Sequence, residues 1–186
     1  MNDNQEMLEV VDENDNVIGL ESREKIHKKG LLHREIHVLF ITPRAEIIFQ
    51  HRAKDKDTYP DKLDATVGGH VEPGMSYGET AVKECKEETG IDIDPQKLVL
   101  LSKMRKRTID EATGLINNAV RTEYAYLYEG RMDDLVLEVG KAIGFEAWKI
   151  DGLPKLSNSD KDRFVPLIFS DEHIFLFNKA KKLLLG

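Results

Sequence analysis

Three glutamates concentrate the chemistry of this chain. Glu84, Glu87 and Glu88 stand at i, i+3 and i+4, positions that share a face of an α-helix. Carboxylates on one patch repel each other by about 0.2–0.5 kcal/mol per pair, and a hard divalent cation removes that repulsion. Mg²⁺ and Mn²⁺ favour oxygen ligands, and Mg²⁺ shares its shell with water and substrate phosphate. A solvated acidic face has the same pattern, because glutamate is a good surface helix former. Two features favour the ligand reading. Ala81, Val82 and Cys85 on the opposite side dock the helix on a core, and Gly68, Gly69 and Gly74 before it let backbone approach a ligand or another element closely.

Other polar side chains are more ambiguous. His33 and His37 flank an apolar run and suit hydrogen-bonded structural roles. His27, in His27-Lys28-Lys29, reads as solvent-exposed. His70, beside the glycine pair, fits a site as well as a structural role. Arg52, Lys54 and Lys56 suit contacts to a substrate phosphate as well as a charged loop. Cys85 is the single cysteine, which rules out an internal disulfide and makes it most simply a small buried hydrophobe.

These residues need elements to hold them. Leu8–Val11 and Val17–Gly19 predict a hairpin closed by turn chemistry at Asp12–Asn16. Ser22–Lys29 is helical or irregular. Ile36–Thr42 reads as a buried strand, with Glu46–His51 as its antiparallel partner beyond a turn at 43–45. Ala53–Asp61 is a loop, and Lys62–Val67 a short strand ending at Gly68-Gly69. Ser76 and Glu79 form a capping box for a helix over 76–89, and Gly90 sits where a left-handed C-cap belongs. Leu98–Arg107 and Asn118–Tyr128 alternate as strands around a turn at 109–116. Phe145–Ile150 is a further strand with Trp148 as buried anchor, and Glu172–Leu184 a closing amphipathic helix. The pattern is α/β with a mixed sheet.

The chain has 186 residues and a net charge of −7. One domain over 1–186 is the expectation, since domains commonly run to about 100–200 residues. The acidic balance opposes nucleic-acid binding, which depends on neutralising phosphates. The acidic start lacks the basic and apolar parts of a signal peptide. No apolar run approaches the roughly 18 residues of a membrane span. A cytoplasmic location is expected.

Residues 69–91 resemble the Nudix box, a 23-residue signature. Gly69, Glu84, Cys85, Glu87, Glu88, Gly90 and Ile91 match it at the expected spacing. Met75 stands where the family has its first glutamate, and Lys83 where it has arginine. The resemblance implies an α/β/α sandwich with a mixed central sheet, and a hydrolase dependent on Mg²⁺ or Mn²⁺ that acts on a small-molecule diphosphate, either a nucleoside diphosphate derivative or another organic diphosphate. It makes Glu84, Glu87 and Glu88 metal ligands and Gly69 and Gly90 structural residues of the box. Glu84, Glu87 and Lys83 become the catalytic group. Lysine keeps the charge of arginine without its bidentate fork, so slower or altered catalysis is expected.

Outside the box the chain resembles the branch of that family containing type I isopentenyl diphosphate isomerase and its hydrolase-like relatives. Glu9–Glu13, Val17–Gly19, Leu31–Arg34, Gln50–Arg52 and Gly69-His70 carry this resemblance. It implies a second metal or substrate site at His33, His70 and His27, the last displaced by one residue in spacing. Glu123 becomes a further metal ligand, while Arg121 takes the place of another glutamate. Arg52 and Lys56 match phosphate-binding positions. The isomerase's catalytic cysteine aligns with Gly68, so hydrolysis is favoured over isomerisation. A binding module with weak turnover is the third alternative. The substrate and the oligomeric state are left open, a homodimer being one option.

Overall fold

The computed structural model describes residues 6–56, 58–111 and 113–186. The first five residues of the acidic start, Asp57 of the 53–61 loop and Ala112 of the 109–116 turn lie outside the described residues.

The N-terminal hairpin pairs β1 (Met7–Val11) with β2 (Val17–Ser22) as a separate two-stranded sheet. Ser22 then caps α1 (Arg23–Lys29), which ends at Gly30. The main sheet has seven strands: β3 (His33–Ile41), β4 (Glu46–Arg52), β5 (Leu63–Asp64), β6 (Val67–His70), β7 (Val99–Ile109), β8 (Ile116–Leu127) and β9 (Ala142–Lys149). Its path runs β5-β4-β3-β8-β7, with β6 on β3 and β9 on β4. β3 and β8 are parallel and the other pairs antiparallel, so the sheet is mixed as expected.

Alternation along β3 separates the two faces. Ile36, Val38 and Phe40 pack with Ala81 and Cys85 of α2 (Tyr77–Thr89). Leu39 and Ile41 join Leu176, Phe177 and Ala180 of α4 (Asp171–Leu185). Helices therefore cover both faces. A single turn, α3 (Asn158–Lys161), precedes α4. No helix among the described residues is long and apolar enough to cross a membrane.

The structure corrects two expectations. The strand expected at 62–67 is two short strands, and the second runs through Gly68-Gly69 instead of stopping there. Pairing with Glu35–Val38 of β3 continues the strand through both glycines. Trp148 is only partly buried at the edge of the α4-side core, and Ile150 is the buried residue there.

Candidate active site

The carboxylate helix starts where its cap directs it. The Ser76 backbone N–H donates to Glu79 Oε2 at 2.8 Å, and the Glu79 N–H donates to Ser76 Oγ at 3.3 Å. Such a cap contributes about 1 kcal/mol. Gly90, at φ +74°, ends the helix in the left-handed region that glycine favours. Between these ends Ala81 and Cys85 are fully buried. Burial pushes the Cys85 thiol well up, which leaves it an inert core residue.

The three glutamates do not share one environment. Glu84 and Glu88 turn inward, while the Glu87 side chain is 48% exposed and pairs with Lys83 at 2.6 Å. Lys83 also reaches Glu72 at 3.0 Å and stands 3.8 Å from Glu84. It thus serves Glu87 and Glu72 more closely than Glu84. Glu88 is wholly buried. Its Oε2 accepts from Gln50 Nε2 at 2.8 Å and from the Gly68 N–H at 3.4 Å. Burial pushes its carboxyl up to about 7 even though Lys141 opposes the shift. Lys141 Nζ lies 2.7 Å from Glu88 Oε1 and 3.3 Å from Glu84 Oε2.

Gly69 has a local reason to be glycine. A Cβ there would lie 2.7 Å from Glu84 Cδ and 2.9 Å from its Oε2. Met75, in place of the family's first glutamate, packs against the α2-side core.

Glu84, Glu87, Lys83 and Lys141 line a cavity of about 1000 Å³. Arg52, Lys56, Glu123, His27 and His70 line it too. Arg52 donates to Asp64 at 3.2 Å and to the Thr58 carbonyl at 2.9 Å. Glu88 stands behind this wall, so only two of the three box glutamates face the cavity.

Three histidines meet on the opposite side of the sheet. Their ring centroids are 5.1–5.2 Å apart, and their ligand atoms lie within 4.8 Å of one another. They come from α1, β3 and β6. His27 is half-buried and not the exposed residue its two lysine neighbours suggest. The Leu31 carbonyl, 3.1 Å from His33 Nδ1, can only accept, as can the Ile116 carbonyl 3.3 Å from His27 Nδ1. These bonds put the protons of His33 and His27 on Nδ1 and leave their Nε2 atoms as acceptors. His27 Nε2 and His70 Nε2 lie 3.2 Å apart, and His33 Nε2 is buried with no hydrogen-bond partner among the described residues. Burial drives all three toward the neutral form, His27 down to about 4.

Beyond the trio lies a buried network that the sequence reading did not assemble. Arg121 Nε donates to Glu35 Oε1 at 2.5 Å, and Asn117 Nδ2 to Glu35 Oε2 at 3.0 Å. Burial works against the Glu35 charge, yet Arg121 holds its carboxyl well below the usual range. Glu123 is raised by burial, and its Oε1 lies 3.7 Å from His173 Nε2. His37 pairs in register with Gly68 on one side and Glu123 on the other. Lys141, Glu138 and His173 have no local pattern that marks them. Gln50 lies within one of the resembling segments, but only the fold aims it at Glu88.

Both donor sets fit cations. Two buried carboxylates, four residues apart and already grouped around an ammonium, supply hard oxygen donors. In two of the three imidazoles, His27 and His33, Nδ1 is tied to a backbone carbonyl, while His70 Nδ1 stands 3.8 Å from Glu6 Oε2. Outer partners of this kind orient histidine ligands, and imidazoles suit Mn²⁺ or Zn²⁺ better than Mg²⁺.

Comparison with known proteins gives a consistent picture. Residues 31–168 match the NUDIX domain family. An uncharacterized Nudix hydrolase from Clostridium acetobutylicum is 28% identical over 165 residues, covering 85% of this chain and 77% of that protein. A Deinococcus radiodurans crystal structure superposes with a TM-score of 0.65 at 20% identity, covering 94% of this chain and 99% of that one. The NUDIX domain of Shewanella oneidensis NrtR, complexed with ADP ribose, gives a TM-score of 0.56 at 12% identity, over 83% of this chain and 88% of that one.

Proposed function

The chain belongs to the NUDIX domain family, and from that premise we propose that it hydrolyses a diphosphate bond in a small molecule bound in the central cavity. Nudix hydrolases generally use divalent metal ions. One observation carries the site assignment: Glu84 and Glu88 converge on a single positive charge at the cavity wall, beside Gly69, where a Cβ would displace the Glu84 carboxylate. In this reading Glu84 and Glu88 hold Mg²⁺ or Mn²⁺, with Glu87 at the exposed edge and Glu123 a further ligand from the lining of the same cavity. The cation would neutralise charge on the diphosphate, the main requirement of phosphoryl transfer.

The protein's own groups do the rest. Arg52 and Lys56 supply positive charge on the cavity wall for the substrate's phosphates. Gln50 and the Gly68 N–H orient Glu88. Lys83 steadies Glu87 and the Glu72 turn. Glu84 is the first candidate to take a proton from the attacking water, because it alone of the inward glutamates lines the cavity. Glu123 is the second.

The histidine trio supports a second cation site, and with it kinship to the branch that resembles type I isopentenyl diphosphate isomerase. It does not carry isomerisation, since position 68 is glycine and Cys85 is sealed in the core. The test is phosphate release from a panel of nucleotide and isoprenoid diphosphates, with ADP-ribose included, during a Mg²⁺ and Mn²⁺ titration. Cation-dependent release from at least one compound is expected. Isopentenyl-to-dimethylallyl conversion without release would overturn the reading, and binding without turnover would favour a binding module.

A further inference from the structure

Lys141 reaches the carboxylates from outside the helix. Its ammonium lies 2.7 Å from Glu88 Oε1, 3.3 Å from Glu84 Oε2 and 3.5 Å from Glu138 Oε2. A single positive charge therefore stands between the two buried carboxylates. A divalent ion held by the same oxygens would face that ammonium at short range, and like charges at that distance repel strongly. Both cannot stay.

The mounting of Lys141 permits its departure. It follows Gly140 at φ +80° and immediately precedes β9. Its carbonyl accepts from the Ala53 N–H at 3.1 Å, so the backbone stays tied while the side chain can swing. The strap before it has little apolar burial: Val136 is 62% and Val139 98% exposed. The lysine side chain lines the cavity and has open space to move into.

We propose that Lys141 is a tethered counter-ion that holds Glu84 and Glu88 together in the cation-free protein and is expelled when a divalent cation binds. The inference rests on the assignment of those two glutamates to the cation. It explains how two buried carboxylates persist without one. Lys141 thereby sets how tightly the site takes its cation.

The test is Mn²⁺ binding to the full chain, followed by electron paramagnetic resonance of the free ion. Lys141→Met keeps the aliphatic stem and removes the charge. It should bind Mn²⁺ about tenfold more tightly than wild type, with Lys141→Arg close to wild type. Metal-free Lys141→Met should melt at a lower temperature than wild type, and saturating Mn²⁺ should erase that difference. The gain should vanish when Glu88→Gln is also present, which separates this site from the histidines. Equal or weaker binding by folded Lys141→Met, or a gain that survives Glu88→Gln, overturns the proposal and leaves the glutamate assignment standing. If wild type binds no Mn²⁺ through Glu88, the assignment falls and takes the proposal with it. Amine labelling of wild type read by mass spectrometry gives a check without substitution. Lys141 should become more reactive when Mn²⁺ is added, and unchanged reactivity in Mn²⁺-loaded protein counts against displacement.

Discussion

The acidic and imidazole clusters face one cavity from opposite sides of a sheet, and the chain builds them differently. Glu84 and Glu88 come from one helix, one turn apart. His27, His33 and His70 come from a helix and two strands. The acidic cluster is neutralised from within by Lys141, whereas the imidazoles are kept neutral by burial and mutual repulsion. Both regions are prepared for positive charge. The first carries a protein cation, and the second presents lone pairs with no internal donor assigned to His33 Nε2 among the described residues. Cation preference should differ accordingly, hard ions on the acidic side and Zn²⁺ or Mn²⁺ on the other.

The largest expected effect lies on the acidic side. Glu84→Gln keeps the shape of a cavity-lining residue and removes its charge. Phosphate release should fall about 10²–10⁴-fold, the usual worth of a positioned base. A fall of less than about tenfold would move the reaction away from this helix.

Zn²⁺ addresses the imidazole side. At a hundredfold excess over Kd it should stabilise wild type by about 2.7 kcal/mol, read as a rise in melting temperature. His33→Ala should abolish that rise and leave Glu88-dependent Mn²⁺ binding in place. Loss of both together would mean that the two clusters form a single site.

Backbone space offers a finer distinction. Gly69→Ala forces a Cβ against Glu84 and should cost about 1–3 kcal/mol along with Mn²⁺ affinity. Gly68→Ala meets the His37 ring at 3.2 Å, a milder overlap than the 2.7 Å at position 69, and should cost less than about 1 kcal/mol in thermal denaturation. Equal costs would remove the special role of position 69.

The two regions should also pull stability in opposite directions with pH. His27 is lowered to about 4 from 6.5, so the unfolded chain binds its proton first. That contribution is present above pH 6.5 and is lost as pH falls toward 4. Glu88 is raised to about 7 from 4.5, so the folded state binds its proton first. Its contribution is present below pH 4.5 and is lost as pH rises toward 7. Glu88→Gln should steepen the acid-side loss between pH 6.5 and 4.5 by on the order of 1 kcal/mol, and His27→Asn should flatten it. Urea titrations across that range provide the check.

The smallest effect belongs to Lys83→Arg. A guanidinium can fork between Glu87 and Glu84, where the ammonium stands 3.8 Å from Glu84. The rate should rise by about twofold, measured as kcat under saturating Mn²⁺. A fall would mean that the lysine's bond to Glu72 matters more than the fork.

Much of this molecule is legible along the chain. Residues 76–90 announce a capped helix, because capping and helical period act between residues three and four apart. The apolar run Ile36–Thr42 marks a buried strand, and the fixed spacing of the box marks its glutamates. Those interactions are local, so sequence alone determines them. Which carboxylates turn inward is decided by docking: Glu88 is buried by Gln50 from β4 and Lys141 from the strap, and Glu87 is left outside. His27 looks exposed beside two lysines until α1 folds against β3 and β6. The strand through Gly68-Gly69 exists because β3 supplies its partners and because His37 and Glu84 fill the space that side chains would take. Lys141 meets Glu84 and Glu88 across more than fifty residues. Burial and charge pairing depend on distance in space, which only the tertiary structure sets.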